Sequence, residues 1–278
     1  MNKKEVKQVL PHYNFLGKTR KGQVTIFVIG GILLIAVVGI FFLMKADIIP
    51  TPGGENPDED PVGYLETCIE AKVLEGTELI MKNGGYRDLD SKLKINFKFE
   101  EEDDFSDIVY LCYNHDNSYP CINQEPMLIQ HLKTELKEHI KLKVDECWDE
   151  LMGSLTSKDN VVKGTSQTFE IRLAPNKVII GVDGELTLIK KGISSVQKYF
   201  EVIIPSKFYD LAIVSQEIVS QEATYCSFQT LGYQMLHPEF KIDMFQTGDS
   251  QKIYTITDKK TKEWIRFAIK GCTIPPAY

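Results

Sequence analysis

The sequence lacks most of the short motifs that announce a chemistry. No GxSxG, HExxH, GxGxxG, Walker A or EF-hand loop occurs, so the usual signatures of esterases, zinc peptidases, dinucleotide enzymes, P-loop ATPases and calcium loops are missing. No two cysteines stand at CxxC spacing, the close thiol pair expected of a structural zinc site. No Asn-x-Ser/Thr acceptor is present, so N-glycosylation is not expected. No segment repeats at a fixed period. Positive charge is also short. The formal net charge is −7, and a nucleic-acid partner, which needs a basic face against its phosphates, is not expected. Hydrophobic residues at 43% and charged residues at 26% exclude a long disordered or collagen-like chain. Length allows one large domain or two small ones among the 278 residues.

The average charge hides a division. Residues 1–22 contain Lys3, Lys4, Lys7, Lys18, Arg20 and Lys21 against the single acid Glu5, residues 23–44 contain no charge, and the remainder is strongly acidic. From Val24 to Met44 the chain reads VTIFVIGGILLIAVVGIFFLM. As a helix at 1.5 Å per residue this run is about 32 Å long, the thickness of a hydrocarbon core, and a helix satisfies its own backbone in lipid. Residues 23–45 are therefore expected to form a single transmembrane helix in the bilayer. The basic flank precedes it, which places the leader 1–22 in the cytoplasm and the rest of the chain outside the cell membrane. Gly30, Gly31 and Gly39 reduce bulk on the helix and allow a homo-oligomer packed through it, although their spacing is not GxxxG.

The junction Lys18-Thr19-Arg20-Lys21-Gly22-Gln23-Val24-Thr25-Ile26-Phe27 is more particular. A short basic stretch ends in glycine and the apolar run begins almost at once, whereas a secretory signal is cut after its apolar region. This segment resembles an archaeal class III, pilin-type signal sequence. The match rests on Lys21, Gly22, Gln23 and the QVTIF start of the helix. The resemblance implies cleavage after Gly22 by a prepilin-type peptidase, with the helix retained as an anchor or in a filament core. Bacterial type IV pilins usually carry Glu at the fifth mature position, where this chain has Phe27. An uncleaved signal anchor is the alternative reading of the same hydropathy.

Residues 46–62, ADIIPTPGGENPDEDPV, lack the apolar content to fold and read as a flexible, extended stalk. Pro50, Pro52, Gly53 and Gly54 break the helical continuity that pilins generally keep between first helix and head.

Beyond the stalk the expected fold class is α+β: a disulfide-bonded ectodomain with an antiparallel sheet and amphipathic helices. Part 63–157 is helix-rich. Leu65, Cys68, Ile69, Val73, Gly76, Leu79 and Ile80 recur at helical steps over 63–82, and Asn83-Gly84-Gly85 supplies the stop. Residues 93–99 alternate as a half-buried strand and 108–113 form a second one. A long helix over 126–152 carries Leu128, Leu132, Leu136, Ile140, Val144, Cys147/Trp148 and Leu151. Part 165–278 is β-rich. Phe169–Leu173 and Val178–Val182 form a hairpin, Asp183-Gly184 signals another turn, and 185–190 and 196–204 continue the meander. A helix opens after Pro205-Ser206 with Phe208, Leu211, Ala212, Ser215, Ile218 and Val219 as its stripe. Strands near 241–246, 252–257 and 264–271 follow, and short connections predict antiparallel pairing. Whether the two parts are separate domains stays open.

The ectodomain also resembles a group of uncharacterised archaeal membrane-anchored surface proteins. The likeness rests on the Cys68 helix ending in Asn83-Gly84-Gly85-Tyr86, the helix ending at Cys147, the hairpin FEIRLAPNKVIIGV and the strand ending Trp264-Ile265-Arg266-Phe267-Ala268. It implies a shared architecture and no reaction.

All six cysteines lie beyond the apolar run, which fits disulfides in an oxidising compartment. Fifteen pairings are possible for six thiols. The favoured set is Cys68–Cys147 between the two long helices, Cys112–Cys121 around a short loop, and Cys226–Cys272. Within the short loop Tyr113, Asn114, His115, Asp116 and Tyr119 form a candidate binding surface, because polar, tyrosine-bearing loops make adaptable contacts. The bland alternative is a stapled surface loop without a partner. The run Glu100-Glu101-Glu102-Asp103-Asp104 reads as a solvated acidic loop, His131 and His139 as surface residues, and Trp148 and Trp264 as core. No catalytic residue, metal ligand or cofactor is assigned. The leading expectation is a membrane-anchored extracytoplasmic surface protein, a binding, adhesion or envelope module, more naturally a non-enzyme. An extracytoplasmic enzyme acting on envelope polymer and a minor filament subunit are the alternatives.

Overall fold

Among the described residues, two sheets and four helices surround one main core. The computed structural model describes residues 59–100, 102–156, 163–164, 167–190, 193–249 and 251–271. The leader, the apolar run, most of the stalk and the processing residues Lys21, Gly22 and Gln23 lie outside the described residues. Among the described residues no helix is long and apolar enough to cross a membrane.

Helix α1 spans Pro61–Lys82. Asp60 Oδ1 accepts the Gly63 N–H at 2.9 Å, and Pro61 occupies the first turn, where its missing N–H costs nothing. Leu65, Ile69, Val73 and Ile80 bury its inner stripe. The helix ends where Gly84 and Gly85 take φ of 65° and 107°, and the Gly85 amide returns to the Ile80 carbonyl at 2.8 Å. Helix α2, Leu128–Thr156, lies against α1 and buries Leu128, Leu132, Leu136, Ile140, Val144, Leu151 and Leu155. Cys68–Cys147 joins the two helices.

The first sheet contains β1 (Lys94–Phe97), β2 (Ser106–Tyr113), β3 (Ile122–Asn123), β8 (Phe240–Gln246), β9 (Lys252–Asp258) and β10 (Trp264–Lys270). Its order is β1-β2-β10-β9-β8, with β3 also pairing β2. All pairs are antiparallel except β2 and β10, which run parallel. The expected antiparallel pairing is present in both sheets, and the parallel β2–β10 pair adds to it. That expectation came from short connections between neighbours, and β2 and β10 are joined by no short connection.

The second sheet contains β4 (Lys163–Gly164), β5 (Thr168–Ala174), β6 (Lys177–Lys190) and β7 (Ile193–Pro205), all antiparallel. The turn expected at Asp183-Gly184 does not form. Strand β6 passes straight through it, with a register shift against β7 between Asp183 and Leu186. Gly184 is required there because a Cβ would meet the Trp148 ring at 2.6 Å. The sequence signal marked a bulge under a tryptophan.

Helix α3, Phe208–Tyr225, touches both sheets and buries Phe208, Leu211, Ala212, Ser215, Ile218 and Val219. Ser206 Oγ accepts the Phe208 N–H and donates to Glu263, which also accepts the Lys207 amide. The β9–β10 turn is thereby tied to the start of α3. A short helix α4, Thr230–Leu236, follows, with no buried residue. One continuous apolar cluster draws on α1, α2, α3 and the inner faces of both sheets, so residues from both expected parts share one core. A smaller cluster, Ile108, Tyr110, Ile253 and Ala268, covers the opposite face of the first sheet, with Ile95, Phe97, Phe99 and Tyr113 packed against it.

Candidate functional site

That opposite face of the first sheet is where unusual chemistry collects. Alternation along β8, β9 and β10 sends Ile242, Ile256, Ile265 and Phe267 into the main core and leaves Lys241, Asp243, Phe245, Thr255 and Arg266 on the other side. Polar residues are ordinary at such positions; Phe245, 44% exposed, is not. The segment after β1 folds across this face and lays Phe99 beside Phe245, ring centroids 5.7 Å apart, with Phe97 5.0 Å from Phe245. The result is an open groove of about 560 Å³, lined by Phe99, Glu102, Asp243, Phe245, Thr255 and Arg266 among others.

Arg266 is the most constrained side chain of the groove. Its guanidinium lies 4.3 Å from the Phe99 ring and 5.1 Å from the Trp264 ring. It donates to Thr255 Oγ1 at 3.0 Å and to Glu102 Oε1 at 2.7 Å. Ser106 in turn donates to the other Glu102 oxygen at 3.3 Å. Stacking, two hydrogen bonds and a supporting hydroxyl fix the plane of the fork, a task lysine cannot perform. A guanidinium has five N–H donors, so donors remain beyond these two bonds for a ligand. On β8, Lys241 and Asp243 pair at 2.7 Å. Glu102 and Asp243 are therefore both neutralised by cations inside the groove.

Further along the same face Tyr110 donates to Gln251, and its hydroxyl is pushed up to about 12 by burial, with Tyr113 and Asp249 adding to it. Tyr113 packs edge-on against Tyr110, and Lys270 Nζ lies 5.3 Å above the Tyr113 ring. The expected loop is thus joined to this face through Tyr113. Its other members do not converge on the groove. Asn114 donates to the Pro120 carbonyl at 2.9 Å and accepts the Asp116 amide at 3.0 Å; Asp116 accepts the Ser118 amide at 2.8 Å. That amide holds the Asp116 carboxyl below the usual carboxylate value. His115, Asp116 and Tyr119 are exposed, and the loop is closed by Cys112–Cys121.

Both described pairings match the sequence expectation. Cys226 is also disulfide-bonded, and Cys272 lies outside the described residues. Among the described residues no cluster of three or more His, Cys, Asp or Glu forms a metal-ligand set.

Four sequence expectations change. The acidic run is not wholly solvated, since Glu102 binds Arg266. Trp148 is buried as expected, but Trp264 serves as one of the rings against Arg266. His131 and His139 are not surface residues. His131 packs its ring 4.6 Å from Tyr86, and His139 has a side chain only 9% exposed. Sequence reasoning missed the groove because its walls come from three separated segments. The available signal was aromatic residues in the outward phase of β8 and β10.

No known protein family, curated protein or solved structure matches this chain.

Proposed function

We propose that this chain is a membrane-anchored extracytoplasmic surface protein whose folded part is a binding or envelope module, with the outer face of the first sheet as its contact surface. The apolar run 24–44, the basic leader and the pilin-type junction support the anchoring. Disulfides in the folded part support an oxidising location outside the cytoplasm. The single observation that carries the binding role is the half-exposed aromatic wall of the groove around a stacked, neutralised Arg266. Concave sites that combine apolar rings with a few fixed polar groups are the usual form of ligand sites.

The test has two arms. Intact cells exposed to a membrane-impermeant amine reagent are expected to give label on Lys198 and Lys260 and none on Lys3, Lys4 or Lys7. The purified chain is expected to sediment with isolated cell-envelope fragments. Label confined to the leader would overturn the topology, and a chain that stays in the supernatant would overturn the binding role.

A further inference from the structure

From the groove's chemistry we infer a ligand class, resting on the binding reading above: a neutral saccharide chain. Three observations converge on it.

The first is charge. Arg266 is neutralised by Glu102 and Lys241 by Asp243 inside the groove. Among the described residues lining the groove both cations, Arg266 and Lys241, have carboxylate partners, so an anionic ligand would face Glu102 and Asp243. A strongly cationic ligand would have to displace Arg266 or Lys241 from their partners. The additional lining carboxylate, Glu100, is exposed and further disfavours an anion. The groove suits a ligand without net charge.

The second is the mixture of surfaces. Phe245 is 44% exposed and shares the groove with Thr255, Asp243 and Lys241. A pyranose ring has an apolar C–H face and a rim of hydroxyls. Its polarised C–H groups meet the negative face of an aromatic ring. Its hydroxyls both donate and accept, so they match a guanidinium edge, a carboxylate and a threonine hydroxyl at once.

The third concerns the competing ligand. An extended peptide binds beside such a groove by adding a strand to a sheet edge. One edge of this sheet is β8, and its Phe240 and Ile242 peptide groups are already engaged. Gln234 of α4 accepts the Ile242 N–H at 3.0 Å and its amide faces the Ile242 carbonyl at 3.5 Å, while the Phe240 N–H goes to His237 O. Along that stretch of β8 recognition is left to side chains, which is how saccharides are held.

The experiment uses the full chain in detergent micelles, sedimented with the isolated envelope of the cells that make it. Envelope is compared untreated, after sodium periodate, which cleaves vicinal diols, and after exhaustive protease digestion. Binding is expected to survive protease, to disappear after periodate, and to weaken at least ten-fold in Phe245→Ala. Arg266→Lys, which keeps the charge and loses the planar fork, is expected to weaken it similarly, and both variants are checked for unchanged thermal unfolding. Binding that survives periodate but not protease overturns the saccharide class and leaves the binding module standing. Wild-type binding by a folded Phe245→Ala overturns the groove as the contact. Absence of sedimentation under every condition overturns the binding role itself.

Discussion

Gly76 of α1 and His139 of α2 are in direct contact: a Cβ placed on Gly76 would stand 2.7 Å from His139 Cδ2. The helices approach this closely because one of them offers no side chain at the crossing. Gly76→Ala sets two effects against each other. Alanine favours the helix by about 1 kcal/mol. Overpacking costs about 1–3 kcal/mol, because the imidazole is buried and has little room to yield. A net loss is expected. Denaturant unfolding should show a lower midpoint, restored when His139→Ala is combined with it; a more stable single variant would show that α2 moves freely.

The same histidine predicts a pH dependence. Burial holds the His139 ring below its usual pKa, with the Lys72 ammonium adding to this and Glu75 opposing it. The unfolded chain therefore takes up the proton first, so stability contributed by the neutral ring is complete above the unfolded value, about 6.5. It is lost as pH falls below that toward the lower folded value. Melting temperature should decline from pH 7 to pH 5, and His139→Gln should flatten part of that slope. An unchanged slope in the variant would assign the decline to other groups.

The two described disulfides differ in the loops they close. Cys68 and Cys147 are 79 residues apart, and Cys112 and Cys121 are 9 apart. On the chain-entropy account the long loop is stabilised by about 4.5 kcal/mol and the short one by about 2.5 kcal/mol. Paired Cys→Ala variants at 68/147 should lose more stability in urea than those at 112/121. The reverse order would mean that native-state strain or residual unfolded structure dominates.

Gln234 protects a sheet edge. Its side-chain amide engages the Ile242 peptide group much as a neighbouring strand would. Gln234→Ala should leave that edge open to a second chain. Light scattering is expected to rise with concentration in this variant, while wild type stays at its starting size. Equal scattering by the two would place the protection elsewhere on α4.

Local periodicity made much of this fold readable. The stripes of α1, α2 and α3 follow three- and four-residue steps, and the stripe positions of Cys68 and Cys147 bring those thiols to one helix interface. The FEIRLAPNKVIIGV hairpin is equally local, with Asn176 at φ 64° in its turn. What was not readable is non-local. The parallel pairing of β10 with β2 leaves no mark in either strand. Helix α4 escaped because Leu231, Met235 and Leu236 face outward and give no core stripe. His139 reads as a solvated residue in the sequence, because no local pattern records that Gly76 makes room for it. The groove failed to announce itself for the same reason: Phe99, Phe245 and Arg266 are brought together only by the finished sheet.

The place of β10 in that sheet has a consequence for biogenesis. A chain leaving the ribosome or a translocation channel delivers β1, β2, β8 and β9 before β10, yet β10 belongs between β2 and β9. Arg266 must reach back to Glu102, 164 positions earlier. Loops of that span close slowly, because their entropy is lost before any contact compensates it. A chain halted before Trp264 has every earlier strand and no groove. Under the binding role proposed above, a growing chain has no capture surface until β10 has entered the middle of the sheet.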